Sequence, residues 1–347
     1  MHLLDAMTRR GFEEVIAIHD RHSGLEAFLA IHDTSRGPAF GGIRRWAYRN
    51  EREALMDCLR LSQAMSRKCA LAGLQAGGAK VVLLDRDGLD LEAAYRHIGR
   101  VVERMAGRFY TGPDMGTGEP ELQWLAEETR YATRPDPEGP GMLAESTAEG
   151  VFRGAEAALV HLDGEAAWGK RRVVVQGLGA VGARLAERLL EHGVTVLGAD
   201  IDEDRAEEVS SELEIELVDP SDAVDIPCDV YSPCGLGGAV HDVSIERLRC
   251  RVIAGGANNV LARRAHGDAL HDRDILYAPD FVINSGALIR GSLFHMTGER
   301  ESLENIGARV GRTLREVFEQ SKTLEESPEK VAVRLADERI ERFRSGT

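Results

Sequence analysis

Only five of the 43 basic side chains in this 347-residue chain are lysines, at positions 68, 80, 170, 322 and 330. Two of them fall in one segment, Lys68-CALAGLQAGGA-Lys80. A chain that prefers arginine so strongly needs a reason for each lysine, and chemistry offers one: a buried ammonium can lose its proton, whereas a guanidinium effectively cannot. Two ammonium groups in one pocket can divide the work. The one that stays charged holds a carboxylate. The other, desolvated beside a like charge, has its pKa depressed and becomes a base. Bringing it near neutrality takes roughly 4 kcal/mol of differential interaction, so the site must exclude water. Gly77-Gly78, just before Lys80, is read as backbone that lets a ligand approach. The plainer reading, a solvated helix-face lysine and a strand-edge charge, stays open on these residues alone.

A second pattern is Gly177-Leu178-Gly179-Ala180-Val181-Gly182, with Ala183 following. It comes after a strand signal and opens a helical one, the context a dinucleotide fingerprint requires. The first glycine makes the turn, the second lets backbone approach a pyrophosphate and the third packs helix on strand. The free N–H groups of the helix start then face the phosphates. Asp200 closes the next strand, where its carboxylate can accept both ribose hydroxyls and repel a 2′-phosphate. Asp202, Glu203 and Asp204 add to that repulsion, outnumber Arg205, and favour NAD over NADP. Two further groups are chemically plausible. Asp114 lies in a Gly/Pro loop, where a carboxylate is often a turn residue. Asn284 follows a strand signal at its carboxyl end, the edge that faces ligands in open α/β sheets.

The elements must position these groups. Residues 14–19 and 25–32 read as strands, 37–44 as a Gly-rich turn, 52–69 as a long helix, 79–84 as a buried strand, 91–106 as a helix and 109–117 as a turn-rich loop. Residues 134–141 (RPDPEGPG) are the strongest linker signal. Beyond them a helix at 147–161 leads into alternation: 172–176, 180–192, 194–199, 203–212, 229–231, 251–254, 275–277 and 281–283. That rhythm predicts a parallel doubly wound sheet. The last 45 residues read as two amphipathic helices, the first with Leu303, Ile306, Val310, Leu314 and Val317 on one stripe.

Composition sets the outer bounds. With 43% hydrophobic and 29% charged residues and a mean hydropathy of −0.25, the chain is globular rather than disordered. A net charge of −15 argues against a nucleic-acid partner. No apolar run approaches the ~20 residues of a membrane span, and the charged N-terminus is unlike an export signal. The five cysteines include no CxxC pair. They read as reduced thiols in a cytoplasmic protein, and no metal site is expected.

The segments GPAFGGIR (37–44), MSRKCALAGLQAGGAK (65–80), YTGPDMGT (110–117), VQGLGAVG (175–182), CDVYSPCGLGG (228–238), VIAGGANNV (252–260) and ILYAPDFVINSGA (275–287) together resemble the glutamate/leucine/phenylalanine/valine dehydrogenase family of NAD(P)-dependent amino-acid dehydrogenases. The resemblance runs from about residue 12 to 340. It implies an N-terminal α/β substrate domain (1–138), to which a C-terminal helix at about 325–347 packs back. A doubly wound Rossmann domain (142–324) follows, with a cleft between the two. It implies that Lys68 binds the substrate carboxylate, Lys80 activates water and Asp114 shuttles protons to the amino group. Asn284 lies near substrate and nicotinamide, Thr147 contacts the carboxamide, and Asn258 belongs to the cofactor site. The implied reaction is reversible oxidative deamination of an L-amino acid to a 2-oxo acid and ammonia, in a homo-oligomer.

The resemblance also bears on the substrate. Phe40 stands where glutamate enzymes carry a lysine, and a carboxylate buried against it would be unpaired at a cost of several kcal/mol. Phe40, Gly41, Gly42, Met65, Pro113, Leu288 and Gly291 match substrate-binding positions. The usual Asn-Ala-Gly-Gly becomes Asn284-Ser-Gly-Ala287. A branched-chain amino acid is the first expectation, phenylalanine or tryptophan the second. A non-catalytic NAD-binding sensor or scaffold is the alternative from another class.

Overall fold

A computed structural model describes residues 3–134 and 138–345; the centre of the expected linker, 135–137, lies outside the described residues. The chain forms two compact units. One comprises the residues up to Gly141 together with Gly291–Arg300 and the stretch from Ala336 onward, and the other Met142–Arg290 and Glu301–Leu335.

The first unit begins with helix α1 (Leu3–Arg10) and strands β1 (Glu14–Asp20) and β2 (Leu25–Asp33). Strand β3 (Ala39–Trp46), helix α2 (Glu51–Leu71), strand β4 (Gly77–Leu84), helix α3 (Leu91–Arg104), strand β5 (Phe109–Gly112) and helix α4 (Glu119–Glu128) follow. The sheet order is β1-β2-β4-β3-β5. β2 runs antiparallel to β1 and β4, while β3 runs parallel to both β4 and β5.

Residues 37–44 are therefore not a turn: most of them form an inner strand, and 109–112 of the expected loop form an edge strand. The glycines do not make a turn here; they supply room. A Cβ on Gly41 would lie 1.8 Å from the Ala79 carbonyl, and one on Gly42 would lie 2.5 Å from the Pro113 carbonyl. Gly77 and Gly78 are filled in the same way, by the Asp33 carbonyl at 1.7 Å and the Ser66 amide at 2.1 Å. They admit neighbouring backbone, which corrects the expectation of a ligand approach there.

The alternation of strand residues gives the sheet two distinct faces. Ala39, Ile43, Val81, Leu83 and Phe109 pack with Tyr95, Ile98 and Val102 of α3. The opposite face carries Ala30, Val82 and Leu84, covered by Cys58 and Leu59 of α2. Helix α2 is started by the Asn50 side chain accepting the Glu53 N–H at 2.9 Å. By register, Phe40, Gly42 and Arg44 of β3, Gly78 and Lys80 of β4, and Tyr110 and Gly112 of β5 share this second face.

The second unit contains α5 (Leu143–Asp163), β6 (Arg172–Gln176), α6 (Ala180–Leu190), β7 (Thr195–Ala199), α7 (Glu203–Leu213), β8 (Glu216–Leu217), β9 (Cys228–Pro233), α8 (Ser244–Arg247) and β10 (Cys250–Ile253). It continues through α9 (Ala265–His271), β11 (Leu276–Tyr277), α10 (Asp280–Ile283) and the start of α11 (Gly286–Thr297) to α12 (Leu303–Leu324) and the start of α13 (Pro328–Arg344). Its strands are all parallel, in the order β8-β7-β6-β9-β10-β11. This is the doubly wound arrangement, whose order reverses between β6 and β9.

Residues 281–283, expected as a strand, form the helical turn α10. Pro279 precedes it, and the Asp280 carboxylate accepts the Val260 N–H at 2.9 Å. Asn284 thus follows a helix rather than a strand. On α12, Ile306, Val310, Leu314 and Val317 are buried and Leu303 is half-buried. The five cysteines are free thiols.

Candidate active site

In the first unit, β4 carries Lys80 inward, 5% exposed, and its ammonium meets Asp114 Oδ2 at 2.7 Å. Asp114 enters from the loop after β5, which can lie this close to β3 because Gly42 has no side chain: a Cβ there would stand 3.1 Å from that of Asp114. The same carboxylate oxygen accepts from Arg44 Nε at 3.0 Å. Burial pushes the Lys80 pKa below the ordinary lysine value, against the pull of Asp114. For Asp114 burial works the other way, but the charges of Lys80 and Arg44 outweigh it and hold the carboxyl below its usual range. A lysine that can shed its proton beside a fixed carboxylate is a general-base arrangement.

Met65 and Lys68 sit three residues apart on α2, both half-buried. Phe40 is 5% exposed, its ring stacked on Tyr110 at 5.0 Å. The His295 imidazole closes on both rings, 6.3 Å from Phe40 and 5.2 Å from Tyr110, and bonds the Thr133 hydroxyl at 3.2 Å. Gly41 and Gly42 act by packing, as described. Pro113 is exposed, with its carbonyl against Gly42. Leu288, Gly291 and His295 recur at helical spacing on α11. A Cβ on Gly291 would meet nothing within 4 Å.

The glycine loop of the second unit joins β6 to α6 at the reversal of strand order. Gly177 has φ +99°, a conformation that favours glycine, and a Cβ there would strike the Gly235 amide at 2.4 Å. A Cβ on Gly182 would lie 1.8 Å from the Gly177 carbonyl, whereas Gly179 has nothing within 4 Å. Leu178 is buried, while Ala180, Val181 and Ala183 line the first turn of α6, whose start has no side-chain cap. An open glycine at an uncapped helix start fits a pyrophosphate.

Asp200 is more committed than the sequence implied. Its Oδ2 accepts the Leu178 N–H at 2.6 Å and its Oδ1 the Asp202 N–H at 3.0 Å. It also braces the glycine loop, so only its remaining lone pairs are left for a ribose. Arg205 is not merely outnumbered. It pairs with Asp202 at 2.7 Å and reaches Asp200 at 3.6 Å.

Asn284 donates its amide to the Gly256 and Ala257 carbonyls and, at 2.8 Å, to Asn258 Oδ1. These bonds fix the amide's orientation and leave Oδ1 buried without a partner. An orphaned acceptor of this kind suits an N–H donor such as a carboxamide or an amine. The Thr147 hydroxyl donates to the Leu143 carbonyl at 3.1 Å and accepts the Ala287 N–H at 3.3 Å, tying α5 to α11. Among the described residues no group of three or more His, Cys, Asp or Glu is placed to hold a metal ion.

Sequence reasoning passed over Arg44, Asp57, Tyr110 and His295. Arg44 closes the GPAFGGIR segment and could have been noticed as a cation beside a glycine pair. His295 and Asp57 carry no local signal.

A doubly wound sheet with a dinucleotide loop, together with a separate α/β unit that carries a buried lysine–carboxylate pair, is the make-up of a nicotinamide-dependent oxidoreductase. Family models described as Glu/Leu/Phe/Val dehydrogenase, dimerisation domain, and Glutamate/Leucine/Phenylalanine/Valine dehydrogenase match residues 13–131 and 199–338. Leucine dehydrogenase of Thermoactinomyces intermedius is 37% identical over 99% of this chain and 95% of that protein. Phenylalanine dehydrogenase of the same organism is 41% identical over 83% of this chain and 80% of that protein. The crystal structure of L-tryptophan dehydrogenase from Nostoc punctiforme superposes with a TM-score of 0.87 at 34% identity, covering 99% of this chain and 100% of that one. The chain belongs to the glutamate/leucine/phenylalanine/valine dehydrogenase family and is an amino-acid dehydrogenase.

Proposed function

We propose that the protein catalyses reversible, NAD-dependent oxidative deamination of a branched-chain L-amino acid. The observation that carries the chemistry is the buried Lys80–Asp114 pair at 2.7 Å. A sensor or scaffold on this fold would have no use for it, since a buried ion pair is poor value as a stabilising device. In this reading Lys68 holds the substrate carboxylate. Bound NAD supplies the hydride acceptor for Cα. Lys80, neutral after losing its proton, takes a proton from the water that attacks the resulting iminium carbon. Asp114, a carboxylate at rest, takes a proton from the substrate ammonium before hydride transfer and returns it to that nitrogen in the carbinolamine, which expels ammonia as its hydroxyl proton leaves to solvent, giving the 2-oxo acid. The Asn284 acceptor suits the substrate amine or the cofactor amide. NAD is preferred because the Asp200 and Asp202 carboxylates would repel a 2′-phosphate and already occupy Arg205.

The branched-chain assignment rests on the leucine dehydrogenase relatives and on a wall, Phe40–Tyr110–His295, that has no cation for an acidic side chain. The open space at Gly291 favours a second reading, phenylalanine or tryptophan as substrate. The free thiols suit a reducing cytoplasm. No described helix is long and apolar enough to cross a membrane. The family's dimerisation domain supports a symmetric homo-oligomer. The deciding experiment is a panel of L-amino acids with NAD and NADP, and of 2-oxo acids with ammonia, followed by NADH or NADPH absorbance. Leucine, isoleucine or valine should head the kcat/KM order. Aromatic substrates at the head would favour the second reading, and silence with NAD still bound would overturn both.

A further inference from the structure

We propose that Arg44, anchored by Asp57, is a positioning residue that keeps Asp114 a carboxylate so that Lys80 can release its proton. The inference rests on the dehydrogenase reading and deepens it. Asp114 Oδ2 is shared between Lys80 at 2.7 Å and Arg44 at 3.0 Å. Arg44 Nη1 reaches on to Asp57 Oδ2 at 3.3 Å. Asp57 is itself held, by the Tyr48 hydroxyl at 2.6 Å and the Arg60 guanidinium at 2.7 Å. The chain of charges therefore alternates, Lys80, Asp114, Arg44, Asp57, Arg60. Arg44, Asp57 and Asp114 are 13%, 16% and 17% exposed, so screening by solvent is weak.

The arrangement resolves a difficulty in using a salt-bridged lysine as a base. If Asp114 had Lys80 as its sole counter-ion, taking the proton off Lys80 would leave a buried carboxylate unpaired, and the ion pair would resist. With Arg44 on the same oxygen, Asp114 keeps a permanent counter-charge whichever state Lys80 is in. Arg44 cannot itself lose a proton, and it bears on Lys80 as a like charge. Asp57 absorbs part of that charge and fixes the guanidinium, so its influence is set by geometry. Cys58 also faces Lys80, its thiol donating to the Lys80 carbonyl at 3.3 Å. Burial lowers the Lys80 pKa first, and Arg44 acts in the same direction.

The sign of each change follows. Removing Arg44 removes a like charge from Lys80, so Lys80 holds its proton to higher pH and the acid limb of the kcat/KM profile moves up. Neutralising Asp57 leaves Arg44 less compensated, and the limb moves down. The test compares the pH profiles of wild type, Arg44→Gln, Arg44→Lys and Asp57→Asn. It also follows the Lys80 13Cε titration by NMR in lysine-labelled protein, assigned with Lys80→Arg; with five lysines in the chain the spectrum is simple. We expect an upward shift of about one pH unit in Arg44→Gln, most of it recovered in Arg44→Lys, and a smaller downward shift in Asp57→Asn. Unmoved titrations, or shifts of the same sign in Arg44→Gln and Asp57→Asn, overturn the assignment. If Arg44→Gln does not fold, the downward shift in Asp57→Asn decides the matter. Because the NMR readout needs no turnover, an inactive wild type would sink the dehydrogenase reading while the Lys80 titration still judges Arg44.

Discussion

The two lysines of one short segment have unlike surroundings, and their substitutions should fail differently. Lys80→Ala is expected to fold and bind NAD but lose at least 100-fold in kcat, the scale of a positioned base; wild-type kcat would refute the assignment. Lys68→Ala should mainly raise the KM for the amino acid. At Asp200 the structure changes the expectation, because the carboxylate braces the glycine loop through the Leu178 N–H. Asp200→Ala should weaken binding of both NAD and NADP while narrowing the ratio of their Kd values. Loss of preference with full affinity for NAD would show that the brace is unimportant.

A separate residue, His32, bears on pH and stability. It is 3% exposed and bonds Ser66 at 2.8 Å and the Arg10 carbonyl at 3.1 Å; burial, helped by Arg344, lowers its pKa to about 4. The unfolded chain, titrating near ~6.5, therefore takes up this proton first on acidification. Stability from neutral His32 is present above that value and drains away as pH falls toward 4, by about 3 kcal/mol in all. Denaturant melts should lose most of this slope in His32→Gln.

At the scale of elements, the glycines that misled the reading of 37–44 are those that let β3, β4, α2 and the Asp114 loop approach one another. Gly41→Ala must displace the Ala79 carbonyl, and Gly78→Ala must push α2 off β4 at the Ser66 amide. Neither obstacle is a flexible side-chain end. Each variant should cost several kcal/mol in denaturant unfolding, in the range of overpacking or worse; a melt within 0.5 kcal/mol of wild type would contradict the packing account. The alternating strands and helices of the second unit were legible because each carries its own period and its own turn chemistry. Residues 281–283 were not, since three apolar residues have no period. Their helical turn is set by Pro279 and by the bond from the Val260 N–H to Asp280, a contact between positions 20 residues apart. The site divides in the same way. Lys68, Lys80, Asp114 and the glycine loop stand out by residue type and motif, whereas His295 acquires meaning from a partner 162 positions away, and Asp57 from Arg44 and Tyr48, which only the turn between β3 and α2 brings to it.

At the scale of the whole molecule, the first unit is discontinuous. Its last contribution includes Arg344, which pairs with Asp33 at 2.6 Å and donates to the Gly11 carbonyl at 2.8 Å, while Asp337 takes Arg67 at 2.7 Å. The Asp33 side chain is 2% exposed. Arg344→Ala would leave a buried carboxylate without its cation and should cost about 3 kcal/mol, read as a lowered Tm; an unchanged Tm would mean that the C-terminal helix does not hold this unit. No periodicity in the sequence reports a contact such as that of His295 with Thr133, 162 positions away, which is why Gly291–Arg300 escaped assignment to the first unit.

That discontinuity dictates an order of assembly on the ribosome. Domains ordinarily fold as they emerge, the N-terminal one first. Here the nascent N-terminal sheet has its hydrophobic core within residues up to Ala132, but it gains His295 over Phe40 and Tyr110, and Arg344 beside Asp33, only late in translation. The dinucleotide unit is complete at Leu335, ahead of the last contacts of the segment translated first.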